Sequence, residues 1–387
     1  MTHSGAVTTD DSGAVAAHRP TGPRSGEDPM DPRLTAEVDD VLESFLRSRR
    51  SAADLVDPAY GDAIGALAAF VLRGGKRIRP VFTWWGWRGA GGEPDDELAP
   101  AVLRAASALE LIQAGALIHD DLMDASTTRR GHPTVHVDFA RRHDAAGWLG
   151  EAARFGAAAA VLLGDVALVW ADDMLRAAGL PPAVADRAAP VWEAMRTEVL
   201  GGQFLDVLGQ ATGDTSPAAA LRVNRYKTAA YTIERPLHLG AAMASADDAL
   251  VAGYRRFGAD LGVAFQLRDD LLGVFGDPDV TGKPAGDDLR EGKRTLLVAL
   301  ALQEADRRDA SAAAATINGA LGGDDLDERR IADVRAAFDE LGAVAAVEQR
   351  IEALTASGLA ALATAPVAEP AATRLAELAV SVTRRVR

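Results

Sequence analysis

The 387-residue sequence has no cysteine, which excludes disulfides and thiolate metal centres and is compatible with a reducing compartment. Any metal ion has to sit on oxygen or histidine ligands. Aromatic residues make up only 5% of the chain although 48% is hydrophobic, and with β-branched residues few and alanine abundant the composition suits helices better than sheet. An all-α protein is expected. The excess of 56 acidic over 41 basic residues gives a net charge of −15 and argues against nucleic acid or an anionic membrane surface as the main partner. It does not exclude an anionic small substrate, because a bound cation or a local basic cluster can reverse the field at one site. No stretch reads as long and apolar enough for an integral membrane segment, and the N-terminus lacks the basic start and apolar run of a secretory signal. A cytoplasmic protein is the resulting expectation.

Length alone allows two domains, but one large core is equally compatible. Residues 1–32 are rich in Gly, Ser, Thr, Pro and Asp without periodicity and read as a disordered tail, leaving 33–387 as a single domain. Within it, apolar residues recur at helical spacing. Helices are expected at about 34–49, 59–73, 77–88, 98–122, 151–178, 183–208, 217–243, 247–273 and 293–306, with more towards the C-terminus. Loops are expected at 89–97, 125–147 and 274–291, where Gly, Pro and charge are densest.

Two of those loops follow aspartate pairs. The segment 101–119 (AVLRAASALELIQAGALIH) is apolar on nearly all sides, as befits a helix surrounded by others, and it runs into Asp120, Asp121 and Asp124. The segment 257–272 likewise carries Asp269 and Asp270 at its end. Asp120 and Asp124 lie one turn apart on one helical face, so their oxygens can grip shared divalent cations. The DDxxD pattern by itself is weak, since nine Asp-Asp pairs occur here and most such pairs are solvated surface or helix caps. Position strengthens it: carboxylates at a helix C-terminus oppose the macrodipole and need a compensating cation.

Basic clusters flank the acids. In Gly74-Gly75-Lys76-Arg77-Ile78-Arg79-Pro80 the glycines allow close backbone approach, and Lys76 and Arg79 are expected on one helical face. Arg129-Arg130-Gly131 follows Asp124, and Lys283 and Lys293 follow the second acidic pair. Each alone is most simply a solvated charge. Together, acids that bind Mg²⁺ and bases that bind phosphate are the two halves needed to hold a metal-bridged diphosphate.

The ordered set GGKRIRP (74–80), HDDLMD (119–124), RRGHPTVH (129–136), GGQFLD (201–206), YKT (226–228), FQLRDD (265–270) and GKPAGDD (282–288) resembles the trans-isoprenyl diphosphate synthases, the polyprenyl synthetase family. The resemblance covers about residues 40–385 and implies a single large all-α bundle with a central cavity, usually homodimeric. It assigns Asp120, Asp121 and Asp124 to a first metal motif and Asp269 and Asp270 to a second, with Mg²⁺ as the cofactor. It places Lys76, Arg79, Gln113 and Arg130 around isopentenyl diphosphate, and Arg129, Lys227, Thr228, Gln266, Lys283 and Lys293 around the allylic diphosphate. One departure stands out: the second motif reads DDLLG, with Gly273 where the family usually has a third Asp. Asp277 is the nearest acidic residue that could compensate.

The implied reaction is ionisation of an allylic diphosphate followed by attack of the isopentenyl double bond, with Asp120, Asp121, Asp124, Arg129, Lys227 and Asp269 as the catalytic set. His119 and His136 need no role as a base. Product length is expected from helix geometry. Ala116 and Gly115 precede Asp120 by about 6 to 7.5 Å of helix, and their small size leaves a tunnel open down to Ile112, about 12 Å away. Geranylgeranyl diphosphate is the expected product, with farnesyl or longer chains as alternatives. A class I terpene cyclase would not need the Lys76, Arg79 and Arg130 set. A non-catalytic subunit of a heteromeric synthase has only Gly273 in its favour, and a plain helical scaffold leaves the polar helix ends unexplained.

Overall fold

The computed structural model describes residues 31–276, 286–323 and 326–384. Several of its helices start at a side-chain cap. Asp31, Asp57 and Asp247 accept backbone N–H groups from Leu34, Ala59 and Leu250, and proline follows the first two at the first helical position. This satisfies amides that the first turn otherwise leaves open. The elements are α1 (Pro32–Asp54), α2 (Pro58–Leu72), α3 (Ile78–Gly89), α4 (Ala99–Ser107), α5 (Leu109–Met123), β1 (Thr128–Arg129), β2 (His132–Pro133), α6 (Val135–Ala146), α7 (Ala152–Arg176), α8 (Pro182–Thr212), α9 (Pro217–Val223), a π-helix (Asn224–Glu234), α10 (Arg235–Met243) and α11 (Asp248–Phe275). Helices at Asp287–Arg290, Leu296–Arg307, Ser311–Ala320, Glu328–Glu340, Ala343–Thr364 and Ala371–Thr383 complete the described chain. The all-α expectation holds, and the tail expected at 1–32 lies outside the described residues except for Asp31 and Pro32, which already cap and open α1.

α5 packs against α7 on one side of the bundle, while α11 packs against the π-helix and the helix at 343–364 on the other. Between them lies the cavity described below. One apolar cluster joins α1, α2, α4, α5, α7 and α8, and a second joins α11 to the C-terminal helices.

Several sequence expectations are corrected. The helix expected at 98–122 breaks at Ala108. There the buried Ser107 hydroxyl donates to the Leu103 carbonyl and the Ala108 amide reaches Arg104 at a long 3.3 Å, and back-bonding of this kind bends helices. The stretch 125–147 is not loop throughout. Val135, Phe139 and His143 recur every fourth residue and are buried, making α6 amphipathic beneath a dense covering of charge. Before it, Arg130 and Gly131 both have positive φ (53° and 74°), the backbone that closes a two-residue hairpin.

The expectation that no stretch is long and apolar enough to cross a membrane also fails on length and composition. Ala99–Met123 and Ala152–Arg176 each span 25 residues and qualify. The first runs through α4 and α5 and is largely buried, whereas α7 leaves Val161, Leu162 and Val169 on the outside.

The helix expected at 217–243 is α-helical only at its two ends. Its middle is an eleven-residue π-helix, a wider coil that is frequent at functional sites. Three glycines make room for it. A Cβ on Gly202 of α8 would lie 2.1 Å from the Lys227 backbone nitrogen, and one on Gly262 or Gly258 of α11 would lie 2.5 Å from the Cα of Ala229 or Glu234. Any side chain at these points would collide with the wider coil.

Candidate active site

A cavity of about 800 Å³ opens between α3, α5, α8, the π-helix and α11. The two acidic segments face each other across it. Asp120 lines it from the last turn of α5, and Asp269 and Asp270 line it from the last turns of α11. Lys76, Arg79, Gln113, Arg129, Arg130, Lys227, Thr228, Gln266 and Lys293 line the same cavity, as do Ile112 and Ala116. Residues separated by more than 150 positions thus meet in one place.

The acidic groups are held by cations. The Lys227 ammonium donates to Asp120 at 2.8 Å and to Asp206 at 2.5 Å, and Gln203 donates to Asp120 at 3.0 Å. Burial opposes ionisation of Asp120, but Lys227, Lys293 and Arg129 outweigh it and hold the carboxyl well below its usual range. Lys293 lies 2.5 Å from Glu291, 3.4 Å from Asp288 and 3.6 Å from Asp124. Asp124 is pushed up to about 6 by burial and by the neighbouring Asp120 charge. Asp270 is pushed up to about 8, first by burial and then by Asp288, although Gln266 donates to it at 2.7 Å. Two raised carboxyls, Asp124 beside Asp120 and Asp270 beside Asp288, mark places where added positive charge would be favourable.

The second basic group lies nearer α3. Arg79 donates to Thr232 at 2.9 Å and stacks 4.0 Å over the Tyr231 ring, whose hydroxyl donates to Gln113 at 2.6 Å. Arg130 reaches back from the hairpin to the Gly74 carbonyl at 2.6 Å. Lys76 and Arg79 do not share a helical face as expected: α3 starts only at Ile78, and Arg77 ahead of it adopts a left-handed φ of 45°. They reach the cavity from the non-helical stretch before α3 and from the helix respectively.

Four sequence assignments stand apart. Asp121 is fully buried and binds Arg129 at 2.6 to 2.7 Å, so it orients that guanidinium and does not line the cavity. Asp124 adjoins the cavity through Lys293. Gly115 faces α7, where a Cβ would lie 2.8 Å from the Leu168 side chain and 3.0 Å from the Gly164 carbonyl. It is a packing contact and not part of the tunnel wall. Lys283, like Asp277, lies outside the described residues.

Other lining residues went unassigned in the sequence. Gln203 and Asp206 belong to the GGQFLD motif, while Asn224, Tyr231 and Thr232 lie on the π-helix. Asp288 is the most informative. A Cβ on Gly273 would lie 2.0 Å from its Oδ2, so the space a third aspartate side chain would need at 273 is already filled by the carboxylate of Asp288. The signal was present in the GKPAGDD motif.

The donor set fits Mg²⁺. It is made of hard carboxylate oxygens, and among the described residues no three acidic or histidine side chains converge closely enough to cage an ion. Mg²⁺ commonly binds through one or two carboxylates plus substrate phosphates and water, without a complete protein cage.

Residues 63–334 match the polyprenyl synthetase family. The chain belongs to that family. Its relatives include the geranylfarnesyl diphosphate synthase of Aeropyrum pernix, 37% identical over 248 residues that span 63% of this chain and 72% of the relative. The geranylgeranyl diphosphate synthase of Mycobacterium tuberculosis is 38% identical over 229 residues, 59% of each chain. Among solved structures, the geranylgeranyl pyrophosphate synthase of Corynebacterium glutamicum, complexed with isoprenyl diphosphate and magnesium, superposes with a TM-score of 0.89 at 46% identity, covering 92% of this chain and 99% of that one. As a family member, this polyprenyl synthetase has its acidic and basic motifs gathered on one cavity.

Proposed function

We propose that the protein is a Mg²⁺-dependent prenyltransferase that condenses isopentenyl diphosphate head to tail with an allylic diphosphate and releases geranylgeranyl diphosphate. The observation that carries this reading is the presence of two separate cationic groups in one cavity: Arg129, Lys227 and Lys293 beside the acids, and Lys76, Arg79 and Arg130 towards α3. A diphosphate bound between the acids would be the leaving group. Mg²⁺, when bound there, supplies positive charge that stabilises the departing diphosphate.

Arg129, oriented by Asp121, and Lys227, held between Asp120 and Asp206, supply fixed positive charge at the same place without reorganisation during the reaction. The Thr228 and Gln266 side-chain oxygens offer dipoles to the allylic cation. Lys76, Arg79 and Arg130 hold the second diphosphate so that its double bond attacks the cation. The new carbon–carbon bond then forms and the adjacent proton leaves to the released diphosphate. The wall of Ile112, Ala116 and Leu168 receives the growing tail, and the small Ala116 favours a product longer than fifteen carbons.

The protein is further proposed to act as a homodimer. α7 and α8, tied together where Asp172 accepts from Trp192 and Arg196, expose Val161, Leu162, Val169, Leu200, Phe204 and Leu208, and a second copy would cover this apolar face. Light scattering should give twice the chain mass, and Phe204→Glu should reduce it to one chain.

Incubating the purified chain with Mg²⁺, isopentenyl diphosphate and, in turn, dimethylallyl, geranyl or farnesyl diphosphate tests the activity. A twenty-carbon diphosphate is expected from all three starters. A hydrocarbon or alcohol formed without isopentenyl diphosphate would identify a cyclase instead.

A further inference from the structure

α7 carries none of the motifs quoted above, yet it lends a side chain to the cavity wall. The point of departure is Gly115. It stands five residues, about 7.5 Å of helix, before Asp120, yet it does not line the cavity. The space a side chain would take there belongs to Leu168 of α7. An added Cβ would lie 2.8 Å from Leu168 Cγ and 3.0 Å from its Cδ2. Leu168 itself lines the cavity, together with Ala116 and Ile112 on the facing helix. α5 and α7 run antiparallel, since Gly115 meets Leu168 while His119 lies over Gly164. Leu168 is therefore level with the part of the wall one to two turns below Asp120. A tail threading past Ala116 must pass this isobutyl group.

We infer that Leu168 determines where chain elongation stops, and that Gly115 is a positioning residue that acts through it. This rests on the elongation reading above. Without a side chain at 115, Leu168 can lie close against the α5 backbone. Adding one presses the leucine side chain away from α5, and the cavity is the open space beside it. Size at 168 then acts directly on the tail, and size at 115 acts by displacing Leu168.

The test is the product-length distribution of four variants with farnesyl and isopentenyl diphosphates. Leu168→Ala should raise the ratio of longer products to the twenty-carbon product about tenfold or more, the discrimination that a few methylenes in an apolar pocket can carry. Leu168→Phe should shift products shorter. Gly115→Ala should also shorten them, although residue 115 does not touch the cavity. The Gly115→Ala shift should vanish in the Leu168→Ala background, a non-additivity expected of contacting residues and not of independent ones. A purely structural role for Gly115 would lower the melting temperature in both backgrounds without moving the products.

Leu168→Ala removes atoms without adding any, so it remains interpretable if the phenylalanine variant fails to fold. Unchanged products in Leu168→Ala, with Ala116→Phe still shortening them, would overturn the inference while leaving elongation intact. A wild-type protein that adds no isopentenyl unit to any starter would instead overturn the elongation reading itself.

Discussion

Lys227 and Asp120 meet at 2.8 Å across the cavity, one from the π-helix and the other from the end of α5. The contact joins the basic and acidic halves of the site, and Asp206 accepts from the same ammonium at 2.5 Å. Burial opposes the Lys227 charge, but Asp120 and Asp206 hold its pKa well above the usual lysine range, so it stays cationic throughout the working pH range. Lys227→Met removes charge that the leaving diphosphate would meet. A loss of about 10²- to 10³-fold in kcat is expected, with a smaller change in KM, as read from steady-state kinetics.

The width of the π-helix is what brings Lys227 there, and that width depends on glycine. Gly262→Ala would put a Cβ 2.5 Å from Ala229 Cα, a backbone contact that cannot rotate away. A loss of about 1 to 3 kcal/mol is expected from overpacking, measurable by denaturant titration. A fall in kcat should accompany it in the folded fraction, because Lys227 and Thr228 move with the coil.

At the other acidic segment, Asp288 fills the space that a side chain at 273 would need. Gly273→Asp, which restores the family's usual third aspartate, would place its Cβ 2.0 Å from Asp288 Oδ2 and add a charge beside Asp270, already raised to about 8. The substitution should weaken the site: more Mg²⁺ should be needed for half-maximal velocity. A lower Mg²⁺ requirement would mean that Asp288 does not occupy the place that the structure gives it.

Ala116→Phe fills the tunnel wall four residues below Asp120 and should shift the product to fifteen carbons or fewer, as read by mass analysis. If products do not shorten, α5 does not line the tail pocket.

His238 gives a pH dependence away from the acids. Burial first, then Arg235 and Arg255, press its pKa down to about 4, and Arg235 lies 3.3 Å from its Nδ1, which can accept from the guanidinium only while unprotonated. An imidazole depressed below its unfolded value contributes stability that is present above about pH 6.5 and is lost as the pH falls towards 4. The loss should amount to about 1 to 2 kcal/mol after discounting for solvent screening. His238→Gln should flatten that part of the melting-temperature profile.

Much of this site was legible in the sequence because its chemistry is written in short polar motifs at helix ends. Asp120, Asp269 and Arg79 stand out from neighbours a few residues away, Lys227 only through the family resemblance, and the long apolar stems imply helices on all sides. What escaped was geometry between elements. A π-helix has the same apolar residues as an α-helix, so the widening at 224–234 left no mark in the periodicity, and its glycines lie on other helices. Charge hid α6, whose buried face is only Val135, Phe139 and His143. Gly115 read as empty tunnel because nothing in the chain says that Leu168, more than fifty residues later, fills the gap. Gly273 read as a lost ligand for the same reason, since Asp288 approaches it from a separate helix.

The central claim is that two diphosphates bind at once, one between the acidic segments and one on the basic group near α3. A crystal structure with Mg²⁺, isopentenyl diphosphate and the non-ionising thio analogue of farnesyl diphosphate tests it most directly. The thiodiphosphate should lie between Asp120 and Asp269 with Mg²⁺ beside it, and isopentenyl diphosphate on Lys76, Arg79 and Arg130. A single diphosphate bound in the cavity at saturating concentrations of both ligands, or Asp120 and Asp269 contacting no common ligand, would contradict it.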